Sequence, residues 1–307
     1  IAPYYFRNKI TTIPQYFEKR FDGTSRTFMV ILAIFTALLI HIGISLYAGA
    51  TIMKEFFGLE QFWGVLLISV LTALYTVLGG LKAVAVTETI QSVILLGGCI
   101  LITAFGLYSL PKAGIHDFAN FKAHIRPESL SMLRSDATVA HVGGIPWYAV
   151  FLGYPVLGIW YWFTDQTIVQ RSLASRSERD ARLGPMFTAV LKFAPVFFML
   201  LPGLLAYILY KDKIDATGSG QTYSILVLDL FPVGLVGLVI ASLLAALMSS
   251  VAADLNSSST LVSFDILSRM RPKTTNAGRV NIGKITDLVV MVVSTLFSRV
   301  AVSWGGP

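Results

Sequence analysis

Seven apolar stretches, at about 27–50, 61–79, 84–109, 144–166, 184–209, 233–253 and 284–305, set what this chain can fold into. Each is close to the ~20 residues that a helix needs to cross a bilayer. In hydrocarbon the backbone must satisfy its own N–H and C=O groups, so such stretches predict helices. Of 307 residues 55% are hydrophobic and 13% charged, at a mean hydropathy of +0.70. Soluble domains carry about a quarter charged residues. The fold class is therefore an all-α integral membrane protein with about seven transmembrane helices, read as one transmembrane domain over 1–307.

The polar connections orient the chain. If residues 1–26 are cytoplasmic, the inner loops carry fifteen Lys and Arg residues against eight outside, the excess that the positive-inside rule expects. The long polar loop 110–143 is then extracytoplasmic, and the location is the cell inner (plasma) membrane, in multiple passes. The net charge of +7 sits in these short loops, which points to a lipid bilayer as partner and not to nucleic acid. A single cysteine, Cys99, inside an apolar run excludes a disulfide framework. The four histidines have no paired ligand spacing, and no nucleophile–base constellation suggests an enzyme or a cofactor. Opening on Ile1 and stopping at Gly-Gly-Pro307, the sequence reads as a fragment.

Four stretches carry chemistry. Ala246, Ser249 and Ser250 stand at i, i+3 and i+4, on one helix face. Two hydroxyls, with a carbonyl freed by local distortion, would make hard oxygen ligands for a small cation. Small residues also mark close helix packing, so both readings stand here. Tyr161 and Trp162 offer aromatic faces that suit a pyranose ring or, equally, a membrane-interface belt. Lys192 lies about two turns inside a span, where an ionisable group is costly and a candidate for function; the alternative is snorkelling to the interface. Glu88 follows the Gly79-Gly80 turn, where a carboxylate also suits a helix N-terminus. Asp254, one turn past Ser250, fits a solvated helix end, Asn256 and the hydroxyls at 257–260 a capped or packed one, and His41 a packed, hydrogen-bonded side chain.

The runs Ser242-Leu-Leu-Ala-Ala-Leu-Met-Ser-Ser250, Asn256-Ser-Ser-Ser-Thr-Leu261 and Phe264-Asp-Ile266 resemble the sodium/solute symporter family, in its sodium/glucose cotransporter branch. So do Trp160-Tyr-Trp162, Thr164-Asp-Gln166, Val169-Gln-Arg171 and the segment 74–91 around Gly79-Gly80. The resemblance implies an incomplete LeuT-type inverted-repeat core covering the third to ninth core helices. It implies sodium as the co-transported ion, held by the Ala246 carbonyl and the Ser249 and Ser250 hydroxyls. It implies a sugar or polyol substrate met by Trp162 and Lys192, with Gly158 where the family has a polar contact and Tyr161 as inner gate. Glu88 stands where most members carry Asp, and with Asp254 it is expected to line the sodium exit path. Relatives that move two sodium ions carry a hydroxyl where this chain has Ala252 or Ala253, which implies one sodium per substrate. The expected function is sodium-coupled uptake by alternating access; the alternative is the transporter-like sensing domain of a membrane receptor.

Overall fold

A computed structural model describes residues 2–303 except Met132 and Gly218. Among these residues the secondary structure is helical apart from one isolated bridge between Arg134 and Pro146. The helices are α1 (Ala2–Arg7), α2 (Ile13–Arg20), α3 (Gly23–Phe35), α4 (Gly43–Phe57), α5 (Gln61–Ser109), α6 (Phe118–Ala123), α7 (Asp136–Val142) and α8 (Trp147–Ile159). They continue as α9 (Gln166–Leu173), α10 (Glu178–Leu191), α11 (Leu201–Thr217), α12 (Thr222–Leu230), α13 (Val233–Leu261), α14 (Ser268–Met270) and α15 (Asn276–Ser303). Wide π-helical turns interrupt the rods at Thr36–Ile42, Trp160–Thr164, Val196–Leu200 and Val262–Leu267.

Among the described residues five rods are long and apolar enough to cross a membrane: Gly23–Phe57, Gln61–Ala113, Glu178–Ala216, Val233–Met270 and Asn276–Ser298. The second holds two of the expected spans. At 49 residues α5 would be ~74 Å long if straight, more than twice a hydrocarbon core. It breaks at Gly80, whose φ of 61° is open to glycine and strained for other residues. The expected span 144–166 is the shorter α8 with its π-helical continuation to Thr164. The expected short helix at 223–231 is α12.

Two polar stretches differ from expectation. Residues 1–26 hold two helices instead of a bare loop, because Tyr5, Ile10 and Ile13 find an apolar partner in Val169 of α9. The loop 110–143 contains short helices, two of them started by side-chain caps that the sequence carries. Asp117 accepts the N–H of Asn120, and Ser135 that of Thr138.

The chain forms two compact units. The first comprises Ile1–Gly98, Asp165–Phe187 and Gly237–Pro307, the second Cys99–Thr164 and Thr188–Val236. The core of the first unit joins Ile42, Leu46 and Met53 to Val65, Ile68, Val251, Leu255 and Met291. That of the second joins Leu110, Ile115, Phe121 and Ile125 to Leu205. Large apolar side chains such as Leu78, Val93, Leu152 and Phe193 stay exposed, as a lipid-facing surface requires.

Candidate functional site

In the second unit the expected substrate residues meet. Pro195 has no N–H to give to the Leu191 carbonyl, so the rod that begins with α10 breaks there. The Lys192 N–H still bonds Thr188 O (3.0 Å), while Phe193 bonds Val190 O in a tighter turn (3.2 Å). Lys192 therefore stands at the break itself. Its Nζ lies 4.5 Å from the centre of the Tyr161 ring and 5.2 Å from that of Trp162, within cation–π range. The two rings meet edge to face, centroids 5.4 Å apart, on the π-helical turn Trp160–Thr164. One turn earlier Gly158 faces open space: a Cβ there would meet nothing within 4 Å. An ammonium over two aromatic faces, beside a bare glycine, can hold a hydroxylated ring by stacking and by donating hydrogen bonds.

In the first unit Ala246, Ser249 and Ser250 share the expected face of α13. The expected distortion is absent there: α13 runs unbroken from Val233 to Leu261, and the wide turn comes after it. The Ser250 hydroxyl donates back to the Ala246 carbonyl at 3.2 Å, so two of the three expected ligands engage each other. A second lone pair on that carbonyl serves the hydroxyl without breaking the helix.

The residues expected on the exit path are joined through α9. The Arg171 guanidinium grips Glu88 with two bonds, 3.1 Å from Nε and 2.5 Å from the second nitrogen. It also donates to the Thr167 carbonyl at 2.5 Å. The Thr167 hydroxyl donates to Asp254 at 2.8 Å. Thr167 and Arg171 are one turn apart, so the two carboxylates meet the same helix. Asp165 starts that helix by accepting the Thr167 N–H at 2.7 Å. Glu88 is not at a helix N-terminus; it lies eight residues beyond Gly80, within the second arm of α5.

Asp254 is not at a solvated end either. It is 4% exposed, and His41 Nδ1 approaches its carboxylate at 3.4 Å. The reason is that α13 continues two turns beyond it. Asn256, Ser257, Ser258 and Ser259 are buried as well, and Asn256 and Ser259 bond back to the preceding turn. His41 is thus a packed histidine with a hydrogen-bonding partner.

Sequence reasoning passed over Arg171, counted as a loop charge, and the buried Arg26–Asp265 pair at 2.6 Å. Thr12 donates to the same Asp265 oxygen at 2.9 Å, and Glu18 ties Arg26 to α2. The signal was there: a carboxylate in an apolar run, Phe264-Asp-Ile266, requires a cation, and Arg26 opens the first span.

A family model, Sodium:solute symporter family, matches residues 1–303. The chain is 32% identical to Sodium/glucose cotransporter 2 of Rattus norvegicus, over 95% of this chain and 48% of that protein. It is 33% identical to Sodium/mannose cotransporter SLC5A10 of Bos taurus, over 95% of this chain and 53% of that protein. Identity to Sodium/myo-inositol cotransporter 2 of Homo sapiens is 32%, over 99% of this chain and 49% of that one. The chain thus spans about half the length of these relatives. Among solved structures, a substrate-bound, outward-open Na+-coupled sialic acid symporter matches at a TM-score of 0.84 and 23% identity, covering 98% of this chain and 64% of that one. The fold is therefore LeuT-like. The family is one of symporters and not of enzymes. A helical, lipid-facing chain matched along almost its whole length in this way is a multi-pass plasma-membrane protein and belongs to the sodium:solute symporter family.

Proposed function

We infer that the protein containing this chain is a symporter that couples sodium entry to uptake of a sugar or polyol by alternating access. The observation that carries the substrate side is Lys192 lying over Tyr161 and Trp162 at a helix break. Relatives named for glucose, mannose and myo-inositol support a polyhydroxylated substrate. Trp162 and Lys192 bind it, Tyr161 is the inner gate, and Gly158 leaves room where a polar side chain would select hydroxyls. Sodium takes the Ala246 carbonyl and the Ser249 and Ser250 hydroxyls, with Ser250 turning from its own helix to the ion. Glu88 and Asp254 line the inner exit. The Arg171–Glu88 pair would have to loosen for Glu88 to draw the ion inward.

The test is uptake by the intact transporter in proteoliposomes under a sodium gradient. Ser249→Ala with Ser250→Ala should raise the sodium concentration for half-maximal uptake roughly ten- to thirtyfold, as expected for two lost ligands of about 0.7–1 kcal/mol each. Unchanged sodium dependence at normal reconstitution would refute the site.

A further inference from the structure

One buried acid takes no part in the proposed transport sites. Asp287 lies near the middle of the apolar rod Asn276–Ser298 and is 4% exposed. An ionisable side chain at such a depth carries a large cost and is retained for a reason. Gly283, one turn earlier, brings α15 against α13: a Cβ there would stand 3.7 Å from Ser259 Cβ and 3.5 Å from Ser263 Oγ. The Ser259 hydroxyl donates to the Asn256 carbonyl at 3.2 Å. The Oδ1 atom of Asp287 is fully buried and has no hydrogen-bond partner among the described residues.

Among the described residues Asp287 has no counter-ion. On α15 itself Lys284 is exposed and Arg279 stacks on Phe264 at 5.5 Å. On the neighbouring elements, His41 is engaged by Asp254 and Asp265 is held by Arg26. On α4 Lys54 is exposed in the last turn, and Tyr47 and Glu55 carry no positive charge to offer. An ionised carboxylate in this place gives up its water and leaves Oδ1 without a hydrogen bond in return, a loss that nothing offsets. One proton removes the charge and supplies an O–H donor.

We propose that Asp287 is a proton-binding site, occupied when α13 and α15 are packed as they are here. It is a second ionic site, separate from the sodium ligands. Ser259 sits nine residues past Ser250 on α13, roughly 14 Å along one helix, so a proton at Asp287 acts on the element proposed to bind sodium. Only that link to transport rests on the proposed function; the protonation does not.

Two measurements on the intact protein test it. The first is the unfolding equilibrium in detergent between about pH 6 and 9, where an ordinary exposed Asp is fully ionised. The native state then holds a proton that the unfolded state lacks, so stability falls as pH rises. The folded-to-unfolded ratio of the wild type should drop by up to about tenfold per pH unit relative to Asp287→Asn, which keeps the shape without the acid. Wild type and Asp287→Asn running parallel across the range overturns the proposal. Should Asp287→Asn fail to insert, a wild-type folded-to-unfolded ratio that does not fall between about pH 6 and 9 overturns it equally. The second measurement is sodium-driven uptake against pH, which should be flatter in Asp287→Asn. Uptake missing from every protein, wild type included, would count against the transport reading and leave the proton site to be decided by the unfolding data.

Discussion

Lys192 was legible from the sequence because a charge inside an apolar run needs a reason, and the run 184–209 supplied no partner of its own. What the sequence could not supply was the break at Pro195, which sets the ammonium over Tyr161 and Trp162. The site can be tested one side chain at a time. Lys192→Ala should weaken solute affinity roughly ten- to a hundredfold, the loss of a charged hydrogen bond of about 1.5–3 kcal/mol, with sodium dependence nearly unchanged. Radiolabelled solute binding at saturating sodium measures it. A variant that reaches the membrane with unaltered affinity would assign Lys192 to packing. Arg171 shows the opposite case. In sequence it is one loop arginine among several, because only the tertiary placement of α9 decides that it holds Glu88.

At the scale of elements, the apolar spans were readable because lipid tolerates few alternatives to a helix. Their interruptions were less so. The wide turns Thr36–Ile42, Trp160–Thr164 and Val262–Leu267 carry His41, the Tyr161–Trp162 pair and Asp265, consistent with the use of π-helical turns to aim side chains at sites. No residue pattern distinguishes such a turn from the helix around it, whereas Gly79-Gly80 announced its own break. The inner end of the first unit is tied by a chain of ions that the sequence hid across more than two hundred residues: Asp265 to Arg26, Arg26 to Glu18, Glu18 to Arg269. Asp265→Asn should cost about 1.5–3 kcal/mol in thermal unfolding, the loss of charged hydrogen bonds, since Arg26 keeps Glu18 as a partner. Glu18 gives the pH dependence. Partial burial alone would raise its carboxyl, but the hydrogen bonds and charges of Arg26 and Arg269 outweigh that and hold it below the usual range. A carboxylate lowered in the folded state stabilises the protein above its unfolded value near ~4.3, and that gain fades as pH falls through the folded value. Thermal unfolding should therefore show Glu18→Gln less stable than wild type by a constant margin from neutrality to about pH 5, closing in stronger acid. A margin that grows on acidification would contradict the ion-pair account.

On the scale of the whole molecule, the family and the fold are shared with transporters of several solutes, so what separates this chain from them has to lie in particular positions. The stoichiometry is one such point. A second sodium ion needs several hard oxygens further along α13, because a dehydrated cation is held by ligand number as much as by charge. At that place the chain has Ala252 and Ala253, both buried, whose methyl groups offer no lone pair. The neighbouring carboxylate could have replaced them, yet Asp254 is already engaged by the Thr167 hydroxyl and by His41. Freeing it for an ion would give up both contacts in a buried site. The expected ratio is therefore one sodium per solute molecule. Tracer sodium and tracer solute counted together in proteoliposomes measure this directly, and are preferable to electrical charge, which a proton at Asp287 would also carry. A ratio near two sodium ions per solute would mean that Asp254 leaves Thr167 and His41 during transport, and Asp254→Asn would then return the ratio to one.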